Sequence, residues 1–341
     1  MSPKVSAGTY PLEGRNLALV TRNEIIESIP VAPEIRWCEG AASLARVKSS
    51  AIVKWGRHIH LSQARNMQYV AEHTKIRLPT VIDAWEAEDT TEDDESNTCY
   101  ILMEYISGKV LIDIWDELDE IARRGIQSQV HENICQLQSL DLKIPGPIGG
   151  GISESSLFTG YGAGPFESPN DLEEWYNGRL LVCHDYGHAT HISPGAFSGK
   201  FNKLVMCHLD LNERNILLDD EGEIWLIDWG LAGAYPPWFE KAQLAWGAGG
   251  SWRLGLLGLI GEEAYQDEVD QLLAIGFALT TGGYAQPRTR PVEDVSSNCS
   301  GPLNPSNRGG PTLGLTYRSF SGSPGSKSSK SEAIQDGTIS I

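Results

Sequence analysis

Two hydrophobic rhythms divide the chain. Short apolar or alternating runs dominate up to about residue 106, and a spacing of three to four residues dominates after it. Leu44-Ala45-Arg46-Val47, a Ser49-Ser50 turn and Ala51-Ile52-Val53-Lys54-Trp55 predict two strands within a strand-like stretch from Ile35 to Trp55. Leu61 to Thr74, with Ala64, Met67 and Ala71 at helical spacing, predicts a helix, and Thr80 to Trp85 a strand after Pro79. The acidic run Glu86 to Asn97 reads as a solvated connection into an apolar strand, Tyr100 to Ile106, that leads to Gly108.

Beyond it the spacing of Leu111, Ile114, Trp115, Leu118, Ile121 and Ala122, and of Ile126, Val130, Ile134 and Leu137, predicts two amphipathic helices. Pro145 to Gly151 marks a long loop, Asp171 to Val182 a further helix, and Glu262 to Phe277 a helix with one acidic side. Residues 1–33 are mixed and Pro-punctuated, with a short helical candidate at Asn23 to Ser28, and are expected to form a loosely attached lead-in. From Gln286 onward Ser, Gly, Pro and Asn dominate, so 286–341 is expected to be a disordered tail unable to bury enough surface to offset its ordering entropy.

The densest chemistry lies between Val205 and Trp229. Ile216-Leu217-Leu218 and Ile224-Trp225-Leu226-Ile227, joined by Asp219-Asp220-Glu221-Gly222, predict a β-hairpin flanked by Asn215 and Asp228. Cross-strand pairing would bring their Cβ atoms to roughly 5–8 Å. Asn and Asp supply oxygen ligands that suit Mg²⁺ shared with nucleotide phosphates. Asp210, five residues before Asn215, is a carboxylate able to accept a hydroxyl proton from an acceptor.

His208, Asp210 and Asn215 match H-x-D-x-x-x-x-N, and Asp228 in Ile-Asp-Trp stands where the metal-binding Asp of D-F-G would stand. The segment resembles the aminoglycoside phosphotransferase and choline kinase-like family, with Leu209 in place of the family's Gly. The resemblance implies an α+β, protein kinase-like two-lobe fold: a small β-rich N-lobe, residues 34–106, binding nucleotide, and a larger, mostly helical C-lobe, residues 107–285, carrying the catalytic loop and acceptor site.

It further implies ATP and Mg²⁺ as cofactors, Asp210 as base, and Asn215 and Asp228 as metal ligands. Lys54 in Ala-Ile-Val-Lys resembles the phosphate-holding Lys of the kinase third strand, and Glu104, Tyr105 and Ile106 correspond to the adenine-binding hinge. His208 is assigned to bracing the loop. Three departures stand out: Gln63 where the helix would carry the Glu that pairs with Lys54, Gly40 alone in place of a G-x-G-x-x-G loop, and Gly230 for the usual Glu after Asp-Trp. The implied activity is ATP-dependent phosphoryl transfer to a hydroxyl of a small molecule. A catalytically weak or inactive nucleotide-binding pseudokinase is the alternative that Gln63 keeps open.

Composition narrows the partners. A net charge of −18 over 341 residues argues against nucleic acid and anionic membrane, and favours a cationic acceptor. Cys38, Cys99, Cys135, Cys183, Cys207 and Cys299 lack framework spacing, so free thiols in a reducing compartment are expected. With no apolar run long enough to span a bilayer and no apolar signal core, a cytoplasmic protein is expected. His184 and His188, at i and i+4, raise a zinc-binding rival that Asp185 and Gly187 weaken. The acceptor's identity and the oligomeric state are not legible.

Overall fold

The computed structural model describes residues 10–36, 43–88, 97–247 and 249–288. Gly40, most of the acidic connection after Glu88 and nearly all of the expected tail lie outside the described residues.

Five strands form an antiparallel sheet: β1 (Glu34–Arg36), β2 (Ser43–Lys48), β3 (Ala51–Gly56), β4 (Val81–Glu88) and β5 (Asn97–Glu104), in the order β1-β2-β3-β5-β4. Strand β3 is central, and its residues Ala51 to Lys54 are all buried because both faces of the sheet are covered. Successive side chains alternate between faces. Ile52 therefore packs with Met67 and Val70 of the helix Leu61–His73, whereas Ala51 and Val53 pack with Leu12, Ile25 and Leu102.

That second contact corrects the loosely attached lead-in. From Tyr10 onward the N-terminal segment covers the outer face of the sheet, burying Leu12 and Ile25. Helix α1 (Arg22–Ser28) opens on a capping box between Thr21 and Glu24. Arg22 then forks onto Asp83 at 2.8 and 2.9 Å, and Leu12 N–H donates to Val47 O at 2.9 Å. The helix Leu61–His73, hereafter α2, ends the set of elements before the hinge.

After β5 the chain passes through Tyr105 to Gly108 into β6 (Lys109–Val110), the short α3 (Leu111–Ile114) and the long α4 (Glu120–Gln138). The expected first helix is thus broken. A 3-10 turn at Trp115–Glu117 intervenes, and Asp119 accepts from Ala122 N–H to start α4 afresh. The new start rotates Ile121 into solvent, 83% exposed, while Ile126, Val130, Ile134 and Leu137 go into the core as their spacing predicts. Each of these four contributes roughly 1.5–3 kcal/mol by burial.

Helix α5 (Pro169–Asp185) is longer than its apolar pattern, because Ser168 and Asp171 form a capping box with Pro169 in the first turn. Strands β7 (Val205–Cys207), β8 (Ile216–Leu218), β9 (Ile224–Leu226) and β10 (Gly233–Tyr235) make small sheets, β6-β8-β9 and β10-β7. Helices α6 (Phe239–Trp246), α7 (Ser251–Ile260), α8 (Gln266–Ala274) and α9 (Gly276–Leu279) complete the body. Helix α8 begins four residues later than the acidic pattern suggested. The buried Lys241 ammonium donates to Gly261 O, Glu262 O and Ala264 O at 2.6–3.0 Å, holding 261–264 as a loop.

Two apolar cores result. One runs from Met67 and Ile101 through Trp115 and Ile134 to Trp229 and Trp252, joining the sheet-bearing part to the helical part. The other is aromatic, with Phe158, Tyr176, Phe201, Tyr235 and Phe239 clustered under α5 and α6. Between the sheet and the helices lies a cleft floored by the β8-β9 hairpin.

Candidate active site

Pairing in the hairpin is Ile216 with Leu226, Leu217 with Trp225 and Leu218 with Ile224. Gly222, with φ of 81°, supplies the left-handed residue of the connecting turn. Ile227 N–H donates to Asn215 O at 3.0 Å, so Asn215 faces Ile227 and Asp228 lies one residue beyond the pairing. Asp228 adopts φ 61°, ψ 71°, which turns the chain into the Trp229–Leu231 3-10 turn. A left-handed non-glycine residue costs about 1–2 kcal/mol and persists where its neighbours enforce it.

The catalytic-loop residues follow β7. His208 is fully buried, and its Nδ1 accepts from Asp210 N–H at 3.3 Å, so Nε2 is the donor to Ile227 O at 3.2 Å. Burial pushes this imidazole below its ordinary value despite Asp210 and Asp228 nearby, which keeps it neutral in that bracing role. Leu209, where Gly was expected, sits at φ 59° with its side chain buried. Its N–H and that of His208 donate to the carboxylate of Glu240 at 3.2 and 2.7 Å.

Asp210 is gripped by its own loop. Asn215 Nδ2 donates to Asp210 Oδ2 at 2.6 Å, Asn212 Nδ2 donates to Oδ1, and Arg214 Nη2 lies 3.4 Å from Oδ1. With its amide nitrogen spent on Asp210, Asn215 has its amide oxygen left for a metal. Across the cleft, Lys54 Nζ stands 2.8 Å from Asp228 Oδ1. Enclosure pushes the Asp228 carboxyl up, but the charge and hydrogen bond of Lys54 outweigh it and hold the group ionised, below its ordinary value. Asp228 keeps 46% of its side chain accessible from the cleft, so the carboxylate is open to a cation. A hard divalent cation fits this donor set of one carboxylate and one amide oxygen.

Of the expected hinge triplet Glu104, Tyr105 and Ile106, two backbone N–H groups are already engaged. Glu104 N–H already donates to Thr80 O at 2.9 Å and Tyr105 N–H to Ser50 O at 3.0 Å. Arg46 stacks over the Tyr105 ring, 3.4 Å from its centroid. Among the described residues this leaves Ile106 to supply the hinge's backbone N–H.

All seven expected residues, Lys54, Glu104, Tyr105, Ile106, Asp210, Asn215 and Asp228, line one cavity of about 350 Å³. Its apolar lining includes Leu44, Ile52, Met103, Leu217 and Ile227, and its polar lining includes Lys54, Asp210, Asn215 and Asp228. Gln63 and Met67 of α2 form a side wall. A second cavity of about 230 Å³ shares Lys54, Asp210 and Asp228 and continues to His58, His60, Glu154 and Gly230. There His60 Nε2 and Glu154 Oε1 stand 3.9 Å apart, each favouring the other's charged form.

Sequence reading missed Glu240, Glu154 and Asn66. Only their burial or their place across the cleft marks them, and nothing in local spacing does. The zinc rival loses its geometry: α5 ends at Asp185, His184 Nε2 contacts Ala189 O at 3.2 Å, and His188 stacks on Phe277. Among the described residues no group of three or more His, Cys, Asp or Glu side chains is placed to hold a metal ion. Also among them, no helix is long and apolar enough to cross a membrane.

Comparison with known proteins bears on the same region. The chain is similar in fold to a thermostable mutant of aminoglycoside phosphotransferase APH(4)-Ia in its apo form, at 15% identity over 74% of this chain and 86% of that one, TM-score 0.47. A ternary complex of a thermostable mutant of the same enzyme with ADP and hygromycin B gives 16% identity, 76% and 90% coverage, and a TM-score of 0.48. The GDP and kanamycin complex of APH(2")-IIia gives 13%, 73% and 82%, and 0.44. No curated protein matches the chain. The model of the phosphotransferase enzyme family matches residues 48–274, which is more than half of the chain and holds all seven expected site residues. On that match the chain, an α+β protein, belongs to the phosphotransferase enzyme family.

Proposed function

We propose that the protein transfers the γ-phosphoryl group of ATP to a hydroxyl of a small molecule. The observation that carries the reading is the convergence of Lys54, Asp210, Asn215 and Asp228 in one cavity whose remaining lining is largely apolar. The apolar lining suits a purine ring, with Ile106 N–H as its hinge donor. Lys54 is placed to meet phosphate oxygens as a point charge. Asp228 and the amide oxygen of Asn215 would hold Mg²⁺, which supplies charge neutralisation to the phosphates when bound.

Asp210 is the base. Its carboxylate, oriented by Asn215 and Asn212, faces both cavities, so a hydroxyl entering the second one meets it there. It accepts the hydroxyl proton as the oxygen attacks phosphorus. The chain's net charge of −18 favours a cationic acceptor. A cytoplasmic setting fits the free thiols at Cys99, Cys135, Cys183 and Cys207.

A screen with labelled ATP over amines, amino alcohols and aminoglycosides tests the reading. The expected result is product formation that falls by roughly 10²–10⁴ in Asp210→Asn, the usual worth of a positioned base, with ATP affinity nearly unchanged. Wild-type turnover in Asp210→Asn would remove Asp210 as base. Tight ATP binding without transfer to any acceptor would favour the nucleotide-binding pseudokinase, the reading that Gln63 in the cavity wall supports.

A further inference from the structure

Helix α2 brings an amide, Gln63, to the cavity wall beside Lys54. An amide oxygen accepts a hydrogen bond from an ammonium but adds no charge. Lys54 accordingly pairs with Asp228, the carboxylate also open to a metal. A nucleotide and metal that draw Asp228 away from Lys54 would loosen the Lys54–Asp228 ion pair that joins β3 to this segment, so another contact has to keep α2 and the Asp228 turn in register.

Asn66 supplies it. Three residues after Gln63, on the same helix face, it is fully buried and its side-chain amide is used at both ends. Nδ2 donates to Trp229 O at 3.2 Å and to Ala232 O at 2.7 Å, and Oδ1 accepts from Ile148 N–H at 2.9 Å. The two carbonyls belong to the turn that directly follows the left-handed Asp228. Ile148 lies in the Pro145 to Gly151 loop, where Gly146 exchanges hydrogen bonds of 3.1 and 2.8 Å with Ala234. That exchange needs a bare position opposite it: a Cβ on Gly233 would come within 2.6 Å of Gly146 O. One side chain thus ties α2 both to the turn that follows Asp228 and to the loop that pairs with Ala234.

We infer that Asn66 is a positioning residue of the nucleotide and metal site, its amide locking α2 to the Trp229–Ala232 turn and to Ile148 so that Asp228 stays aimed into the cleft without a carboxylate on α2. The inference rests on the nucleotide-site reading above. It is distinct from a bulk stabilising role, because loss of the lock acts on Asp228 and not on the apolar lining of the cavity.

Calorimetric titration of ADP, with Mg²⁺ and with EDTA, reads the effect as the gain in ADP affinity that Mg²⁺ confers. In Asn66→Ala that gain is expected to fall about tenfold, with metal-free ADP affinity within about twofold of wild type. Adding Gln63→Glu to Asn66→Ala should restore the gain, since the new carboxylate gives α2 its own hold on Lys54. An unchanged gain in folded Asn66→Ala overturns the inference, as does an equal loss with and without Mg²⁺ that Gln63→Glu fails to repair.

Should Asn66→Ala not fold, Asn66→Ser decides by the same readout: its short hydroxyl cannot reach Trp229 O, Ala232 O and Ile148 N–H together, so the gain should fall, and a gain within about twofold of the unaltered protein overturns the inference. If the unaltered protein shows no Mg²⁺-dependent gain, the nucleotide-site reading itself falls and the inference with it. A flat response to Asn66→Ala in a protein that does show the gain removes the inference alone.

Discussion

Replacing Glu240 by Gln should change how stability depends on pH. The Glu240 carboxyl is 2% exposed, and burial raises it from an ordinary 4.5 to about 7, against the lowering effect of the His208 and Leu209 N–H groups. Between those values the folded chain keeps a proton that the unfolded chain has lost, so stability is greatest below pH 4.5 with respect to this group and declines as pH rises toward 7. The difference corresponds to about 3 kcal/mol once both states are ionised. Gln keeps an oxygen that accepts from the same two N–H groups but does not titrate. Its extra N–H₂ lowers stability by an amount that is the same at every pH, so the informative quantity is the change in the wild-type-minus-variant difference. The window from pH 5 to 8 spans about 2.5 kcal/mol of this, so thermal unfolding should show the wild type losing about 5 °C relative to Glu240→Gln, at about 2 °C per kcal/mol for a domain of this size. Melting curves that stay a constant distance apart over that range would refute both the raised carboxyl and its link to the catalytic loop.

Asp228→Asn removes a ligand charge and the partner of Lys54, so Mg²⁺-dependent ATP affinity should drop by at least about tenfold. Equal thermal stabilisation of the unaltered protein by ATP with Mg²⁺ or with EDTA would contradict the metal assignment. Thiol chemistry should discriminate among the four described cysteines. Cys135 is exposed, whereas Cys99, Cys183 and Cys207 are buried, with burial raising all three thiols and Cys99 to about 11. Peptide mapping after brief alkylation at neutral pH should find Cys135 modified ahead of the other three, and equal labelling of Cys207 would show that the β7 region opens.

The elements that the chain specified locally were legible. Apolar alternation along Ala51 to Trp55, the turn residues Asp219 to Gly222, and the spacing of Ile126, Val130, Ile134 and Leu137 depend on backbone geometry within a few residues. The order Asp210, Asn215, Asp228 around one hairpin is likewise a matter of chain length, because a two-stranded turn returns its ends to the same place. Long-range packing decided the rest. Nothing near Leu12 or Ile25 signalled that they would seal the outer face of the sheet, and the break at Trp115 that exposes Ile121 follows from the cap at Asp119 competing with a continuous apolar stripe. Glu240 stands in the first turn of α6 and Asn66 in the middle of α2, places where polar residues are usually solvated. Their meaning comes from backbone groups 31 and 163 residues away in the chain. A buried carboxylate or amide is tolerated only where a distant segment satisfies its hydrogen bonds, and that pairing is a property of the folded arrangement, with no counterpart in local sequence.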